Sequence, residues 1–375
     1  MNISEFCKIY TGTGFPIEFQ GKKNGKYPFY KVSDISVNNT QQKIFLDNAN
    51  NYIDEFDLSI LKGNLIPAGT IVFAKIGEAL KLNKRAITSC ECLIDNNVIG
   101  IKPDDNIINL LYFYYYLLKI DMLHYSESTT LPSVRKSTIE QIKVKIPPID
   151  VQNKRVTILN ICHKIIKYQV ELIHNLDLLV KSRFVELFGD IDCNTKNWPI
   201  ITLENLAELI TDGEHSTPKR CNEGIYLLSA RNILNHSLKL DDVDYIDETE
   251  YSRISKRVIP KAGDILLSCS GSVGRCCVVP LEIKFQLVRS VALIRFKSDI
   301  TPIFAEYMIT SDWFQRQINS LKTASSQANL FQGRIKKLKG FVPDIYLQYE
   351  FIKVVNQINK LKSDVQKSID ETQLL

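Results

Sequence analysis

At 375 residues the chain is long enough for two domains, and 45% hydrophobic with 24% charged residues describes ordinary globular protein with apolar content for two cores. No apolar run approaches the roughly 18 residues that would span a bilayer, and the N-terminus lacks a basic region followed by an apolar stretch and cleavage site, so neither a membrane span nor export is expected and the cytoplasm is the expected compartment. The net charge of +5 is mild and leaves a polyanionic partner open without requiring one.

From Asn2 to about Pro147, short strand-like runs (Tyr27 to Ile35, Gly69 to Ile76, Asn97 to Lys102) are separated by turn residues, and a helix-like segment at Asn109 to Tyr125 follows. Its apolar part, Leu110 to Leu118 (LLYFYYYLL), is too short for a membrane and predicts a buried helix packed on a sheet. This pattern predicts an α+β head with a curved, partly antiparallel sheet.

Between Pro148 and Gly189 the pattern changes. Ile158, Ile161, Ile165, Tyr168, Leu172, Asn175 and Leu179 alternate in steps of three and four, the seam of a coiled coil with one polar position. Pro147 and Pro148 stop the preceding strand, Asp150 suits the helix N-cap and Gly189 its C-terminal end. A helix of about forty residues would be on the order of 60 Å long. Ile166, Ile173 and Leu176 lie off that stripe and are expected to hold a partner's helices in a bundle.

A second head, about Trp198 to Pro343, repeats the order of the first: Ile225 to Ile233, Gly263 to Ser268, Val288 to Phe296, then a helix at Phe304 to Leu321. The run IEQIKVKIPPIDVQ (Ile139 to Gln152) returns as IKKLKGFVPDIYLQ (Ile335 to Gln348), so that Ile139, Ile142, Pro147 and Gln152 fall on Ile335, Leu338, Pro343 and Gln348. Ile35 pairs with Ile233, Pro67 and Gly69 with Pro260 and Gly263, Gly77 with Gly271, and Val98 in NNVIGI with Val291 in RSVALI. A period of roughly 195 residues is far too long for a solenoid unit, so each copy is a complete domain with its own helix. The second helix starts at Gln348 and carries Val354, Ile358, Leu361, Val365 and Ile369. The expected division is therefore a head over 1–147, a helix over 148–190, a head over 191–343 and a helix over 344–375, with the two helices pairing as an antiparallel coiled coil.

Two α+β heads in tandem, each followed by a long helix with a similar start, resemble the specificity subunit of type I restriction-modification systems. KSRFVELFGD (Lys181 to Asp190), then Trp198 and DGEHSTPKR (Asp212 to Arg220), is similar to the way such subunits leave the central helix and enter the second target recognition domain. LPSVRKSTIEQIKVKIPP (Leu131 to Pro148) resembles the family's exit from a recognition domain. The first head departs from the pattern in starting without the Trp-containing lead present at Trp198. The resemblance implies reading of double-stranded DNA without chemistry. Each head would recognise one half of a split target and the helices would set the spacing. Two methyltransferase subunits and restriction/translocase subunits would dock around them, with S-adenosylmethionine, ATP and Mg²⁺ held by those partners and no cofactor on this chain.

A protein that grips duplex DNA needs Lys and Arg for phosphates, which position it, and planar polar groups for base edges, which specify. Candidates in the first head are Lys22, Lys23 and Lys26 in a Gly-rich loop, Lys75 with Lys81, Lys84 and Arg85 around Gly77, and Arg135 with Lys136. In the second they are His215, Lys219, Arg220, Arg231, Arg275, Arg289, Gln327, Gln332 and Arg334. Lys75 aligns with Ser268 and Ser33 with Arg231, so equivalent loops carry different chemistry, as two domains reading different sequences require.

Other readings are weighed against this one. SCSGSVGR (Ser268 to Arg275) lacks the Gly-Lys-Ser/Thr ending of a nucleotide loop and reads as a hairpin turn that touches the DNA backbone. Asp264, Glu282 and Lys284 follow the acidic-then-ExK order of Mg²⁺-dependent nucleases, the enzymatic alternative, but the first head has no equivalent. Nine cysteines form no CxxC pair and read as reduced thiols, with no metal site expected. A helix-borne scaffold that reads no sequence is the third possibility.

Overall fold

The computed structural model describes residues 1–126, 131–281, 283–321 and 329–374. By contact the chain divides into two compact units, Met1–Val170 with Ile369–Leu375, and Glu171–Ser368. Each unit holds one head and takes a share of both long helices.

The first unit runs β1 (Cys7–Thr11), β2 (Tyr27–Tyr30), α1 (Val32–Thr40), β3 (Phe45–Leu46), β4 (Asn51–Ile53), α2 (Glu55–Leu61), β5 (Ile71–Ala74), α3 (Glu78–Lys81), β6 (Arg85–Thr88), β7 (Leu93–Ile94), β8 (Val98–Pro103), α4 (Leu110–Leu118) and α5 (Lys136–Glu140), then enters α6 (Ile149–Phe188). Five strands pair in the order β1-β8-β5-β6-β3 and three as β4-β2-β7. The β2–β7 and β3–β6 pairings are parallel and the others antiparallel. Tyr112, Phe113, Tyr114 and Leu117 of α4 are buried in one core with Ile71, Phe73, Ile99 and Ile101 of the sheet, as the LLYFYYYLL run predicts. The helix expected to reach Tyr125 stops at Leu118, and a separate 3-10 turn covers Met122–Tyr125.

The second unit repeats the plan: β9 (Ile200–Thr202), α7 (Leu203–Leu206), β10 (Ala207–Asp212), β11 (Ile225–Leu228), β12 (Ile233–Leu234), β13 (Ser237–Leu238), β14 (Asp244–Ile246), α8 (Glu248–Ser255), β15 (Ile265–Ser268), β16 (Cys276–Val278), β17 (Phe285–Leu287), β18 (Val291–Phe296), α9 (Pro302–Thr310), α10 (Asp312–Leu321), α11 (Gln332–Ile335), β19 (Lys339–Phe341) and α12 (Ile345–Gln373). The order β10-β18-β15-β16 matches β1-β8-β5-β6, and β14-β11-β17 matches β4-β2-β7 down to the parallel pair. One expected helix, Phe304 to Leu321, is two. Ser311 adopts an extended backbone (ψ 149°), ends α9, and accepts the Phe314 N–H on its Oγ at 3.3 Å, so it caps α10.

Helix α6 ends as expected, with Gly189 in the left-handed region (φ 79°) and Trp198 Nε1 donating to the Phe188 carbonyl at 2.7 Å. Asp150 lies in the first turn and not at the cap. The two long helices run antiparallel. In the second unit Asp177 meets Lys362 at 2.6 Å, and Phe184 stacks edge-on against Phe351 with centroids 5.4 Å apart. In the first, Cys162 and Ile166 share a cleft with Thr372 and Gln373.

The face that pairs is not the expected one. Ile158, Ile161, Ile165, Tyr168, Leu172 and Leu179 are exposed, Ile158 by 61% and Tyr168 by 67%. The inward stripe instead passes through Ile166, Ile173, Leu176, Val180, Phe184 and Phe188, in steps of seven, three, four, four and four, and the last four are buried with Phe351, Val355 and Ile358 of α12. Ile166, Ile173 and Leu176 therefore do not form a docking face. The reason is the helix's C-terminal end, where Phe184 and Phe188 bury against Phe304 and Phe341 and so rotate the whole helix. On α12 the expected stripe holds for Ile358 and Ile369, which are buried, while Val354 and Val365 are half-buried and Leu361 is exposed.

A glutamine locks each long helix to its head. Gln152 accepts the Asn109 N–H at 2.7 Å and donates to the carbonyls of Pro147 (2.8 Å) and Ile107 (3.4 Å). Gln348 accepts the Thr301 N–H at 2.8 Å and donates to the carbonyls of Pro343 (3.1 Å) and Asp299 (2.8 Å). Asn109 and Thr301 are the N-cap residues of α4 and α9, so each clamp joins a head helix to a long helix through one side chain. Gln348→Leu strands two buried donors, the Thr301 N–H and hydroxyl, and two carbonyls, and is expected to destabilise the second head by about 3 kcal/mol. The shift in its urea midpoint at constant slope measures this, and a loss below about 1 kcal/mol would show the clamp to be dispensable.

Candidate nucleic-acid interface

Strand β8 starts beside the loop after β5 and ends beside the Gln152 clamp, so one end of the sheet is taken by helices and the other by loops. At the loop end, Lys75 N donates to Asn97 O at 2.9 Å, Val134 N to Lys75 O at 2.9 Å and Gly77 N to Pro132 O at 2.8 Å, with a bridge between Ile76 and Ser133. These bonds stitch the β5 loop to the β7–β8 turn on one side and to the segment leading into Arg135 and Lys136 on the other. The second head repeats the stitching. Cys269 N donates to Ser290 O and Leu330 N to Cys269 O, with a bridge between Ser270 and Asn329. SCSGSVGR is thus a hairpin, closed by Ser268 N to Arg275 O at 2.8 Å, and its neighbours are the β17–β18 turn and the segment leading to Gln332 and Arg334.

Of the candidate cations, many are occupied. Lys22 binds Asp57 at 2.5 Å, Lys26 binds Glu55, and Lys23 reaches the Asn50 carbonyl at 3.5 Å. The hydrogen bonds to Asp57 and Glu55 hold the Lys22 and Lys26 ammonium groups above their usual pKa. Lys81 pairs with Glu78 at 2.6 Å and Lys136 with Glu140 at 3.8 Å, while Arg135 is exposed. Arg220 and Arg231 share Asp244 at 2.9 and 3.0 Å. His215 and Arg257 share Asp212 at 2.8 and 2.5 Å. Gln332 donates to the Ile210 carbonyl at 2.5 Å and Arg334 to that of Leu321. Exposed pairs of this kind open at little cost, so they remain usable by phosphate. Among the described residues, the side chains of Lys75, Lys84, Lys219, Arg275 and Arg289 have no such partner. Gln327 lies outside the described residues.

Arg85 is a correction. It is fully buried, donates to the carbonyls of Asn83 (3.1 Å) and Ile120 (3.0 Å), and lies over the Phe73 ring at 5.1 Å. Burial pushes its pKa down to about 10, which still leaves it charged at neutral pH. It is a structural cation and reaches no phosphate. The nuclease trio also dissolves. Asp264 is 2% exposed and held bidentately by Arg295 at 2.8 and 2.7 Å, Lys284 is spent on Glu248 at 2.7 Å, and Glu282 lies outside the described residues. No group of three or more metal-ligating side chains occurs among the described residues.

Asn96 and Asn97, exposed on the β7–β8 turn, stand outside the sequence candidates, as do Gly12 and Gly213, whose close approach positions the β7–β8 turn and the β17–β18 turn respectively. The signal was available. Laying NNVIGI on RSVALI already sets Asn96 and Asn97 opposite Arg289 and Ser290.

Residues 1–177 match the family model described as the type I restriction modification DNA specificity domain. Over 99% of its length the chain is 20% identical to the type I restriction enzyme MjaVIII specificity subunit of Methanocaldococcus jannaschii, of which the alignment spans 89%. Both similarities run to the specificity subunits of type I restriction-modification systems. The chain's fold is that of the type I S subunit from M. genitalium (14% identity, 100% of this chain, 92% of that one, TM-score 0.50). It is also that of a chain from a solved structure concerned with complex assembly and conformational transition of the type I system (12% identity, 100% and 94%, TM-score 0.57). None of the described helices is long and apolar enough to cross a membrane.

The two kinds of cation predict different phenotypes. If Lys75 meets phosphate, Lys75→Ala should weaken DNA binding by a similar factor on all sequences and reduce the salt slope of log K by about 1. Arg85→Ala should lower the melting stability of the first head by about 3 kcal/mol while the folded fraction keeps its DNA affinity and salt slope. A reduced salt slope for Arg85→Ala at full folding would return it to the interface.

Proposed function

We propose that the two heads read two different half-sites of an asymmetric, bipartite DNA target, that the paired long helices set the spacing between them, and that modification subunits dock on the outward stripe of α6. The observation that carries this reading is the repeat with variation. Both heads have the same strand order and the same stitched loop cluster, yet the loops carry different side chains. Two copies of one scaffold with unlike loops recognise two unlike sequences on one duplex.

The docking stripe is exposed Ile158, Ile161, Ile165 and Tyr168, which present more apolar surface than a solvated helix face carries. Two methyltransferase copies match the two-fold repeat of the chain, and they supply the pocket that takes a flipped base and binds S-adenosylmethionine. Restriction/translocase subunits bring ATP and Mg²⁺ chemistry.

Replacing residues 198–343 by the equivalent domain of a relative should change one half of the methylated motif and leave the other. A change in both halves, or in neither, refutes the two-head reading. Inserting one heptad in each long helix should lengthen the spacer by about three base pairs, since seven residues rise roughly 10 Å. Ile161→Asp with Ile165→Asp should weaken co-purification with the methyltransferase at unchanged melting temperature, whereas Ile166→Asp with Ile173→Asp should lower that temperature because those residues face inward. Undiminished assembly by the first pair removes the docking stripe.

A further inference from the structure

We propose that the β7–β8 turn of the first head and the β17–β18 turn of the second present the base-reading side chains, Asn96 and Asn97 in one and Arg289 in the other. The inference rests on the heads being DNA-recognition modules and names where in each head the sequence is read.

Both turns are held rigidly at the same place on the sheet. In the first head Asn97 N donates to Asp95 Oδ1 at 2.7 Å, Val98 N to Asp95 O at 2.8 Å, and Asn97 O accepts Lys75 N at 2.9 Å. In the second, Arg289 N donates to Glu214 O at 3.0 Å, Val291 N to Val288 O at 3.0 Å, and Ser290 accepts Cys269 N on its carbonyl at 2.8 Å and Ala230 N on its Oγ at 3.0 Å. Close approach of the chain after β1 and after β10 sets the position further. A Cβ on Gly12 would lie 1.8 Å from Asp95 O, and one on Gly213 would lie 2.3 Å from Leu287 O and 2.5 Å from Val288 O. Neither glycine has positive φ, so space alone requires it, and it is required at the same place in both heads.

What the turns carry is free. Among the described residues no hydrogen bond or ion pair engages the side chains of Asn96, Asn97 or Arg289, and all three are exposed. The contrast with Arg220, Arg231 and His215, which are engaged by aspartates, singles these positions out. Each group is planar and two-pronged. A carboxamide matches the N6 and N7 edge of adenine, and a guanidinium matches the O6 and N7 edge of guanine. Neighbouring Lys75 and Arg275 lack intramolecular partners and supply phosphate contacts beside each turn. The first half-site should therefore contain an adenine, and the second a guanine, at the base pair facing its turn.

The test uses the full chain assembled with its modification subunits and reads the methylated motif together with binding to duplexes varied one base pair at a time. Arg289→Ala and Arg289→Lys should both lose discrimination at a single guanine of one half-site, by on the order of tenfold to a hundredfold, with the other half-site unchanged. Lysine keeps the charge but not the fork, so it separates base reading from phosphate binding. Asn96→Ala with Asn97→Ala should relax a single adenine in the other half-site. If Arg289→Lys behaves as wild type while Arg289→Ala weakens all sequences equally, Arg289 is a phosphate contact and the proposal falls. It falls equally if no position relaxes in any variant. A wild-type complex without sequence preference would instead overturn DNA recognition by the heads itself, and the turn with it.

Discussion

The structure depends on one buried side chain used twice. A long helix can present a head at a defined angle only if its first turn is fixed to that head, and hydrophobic contact alone leaves a helix free to slide and roll. Gln152 and Gln348 remove that freedom by joining three backbone groups each: the N-cap of the head helix, the carbonyl before the long helix, and a carbonyl of the loop after the last sheet strand. An amide suits this place because it donates and accepts at once. Both glutamines are essentially without solvent contact, so the bonds operate without competition from water.

From that anchor the remaining geometry follows in two directions. Along the helices, α6 carries two apolar stripes at helical spacing, and only one can face α12. The aromatic cluster of Phe184, Phe188, Phe304, Phe341 and Phe351 makes the choice, since burying those rings outweighs burying the branched aliphatics of the other stripe. The stripe left outside is then an exposed apolar surface on a helix whose other face is already satisfied. Along the sheet, the strands lead away from the clamp to the loop cluster, so the proposed reading surface sits on rigid strands and not on a floppy tip.

Charge on this surface is arranged by neutralisation more than by abundance. A net charge of +5 on 375 residues is too small to define a basic face by itself. Aspartates and glutamates of the second head occupy Arg220, Arg231, Arg253 and Arg257, while the exposed Arg289 keeps its fork open. Arg253 and Glu250 show the occupied state clearly: their hydrogen bond holds the guanidinium above, and the carboxyl below, its usual pKa. Engaged cations must first open a weak surface pair to meet a ligand, whereas open ones need not.

The sequence by itself determined the duplication, the order of elements in each head, the buried LLYFYYYLL helix, the glycine end of α6 and the existence of two long helices, because apolar period and turn residues are local signals. Its repeat also marked Gln152 and Gln348 as equivalent, without saying what they do. Tertiary structure decided the rest. Which stripe of α6 faces inward depends on phenylalanines that meet only in the folded core. Arg85 looks like any loop cation in sequence, yet the sheet buries it under Phe73 and two carbonyls. Asp264 loses its carboxylate to Arg295, which lies on the neighbouring strand. Whether a side chain is free or engaged is a property of its neighbours in space, and local sequence does not encode those neighbours.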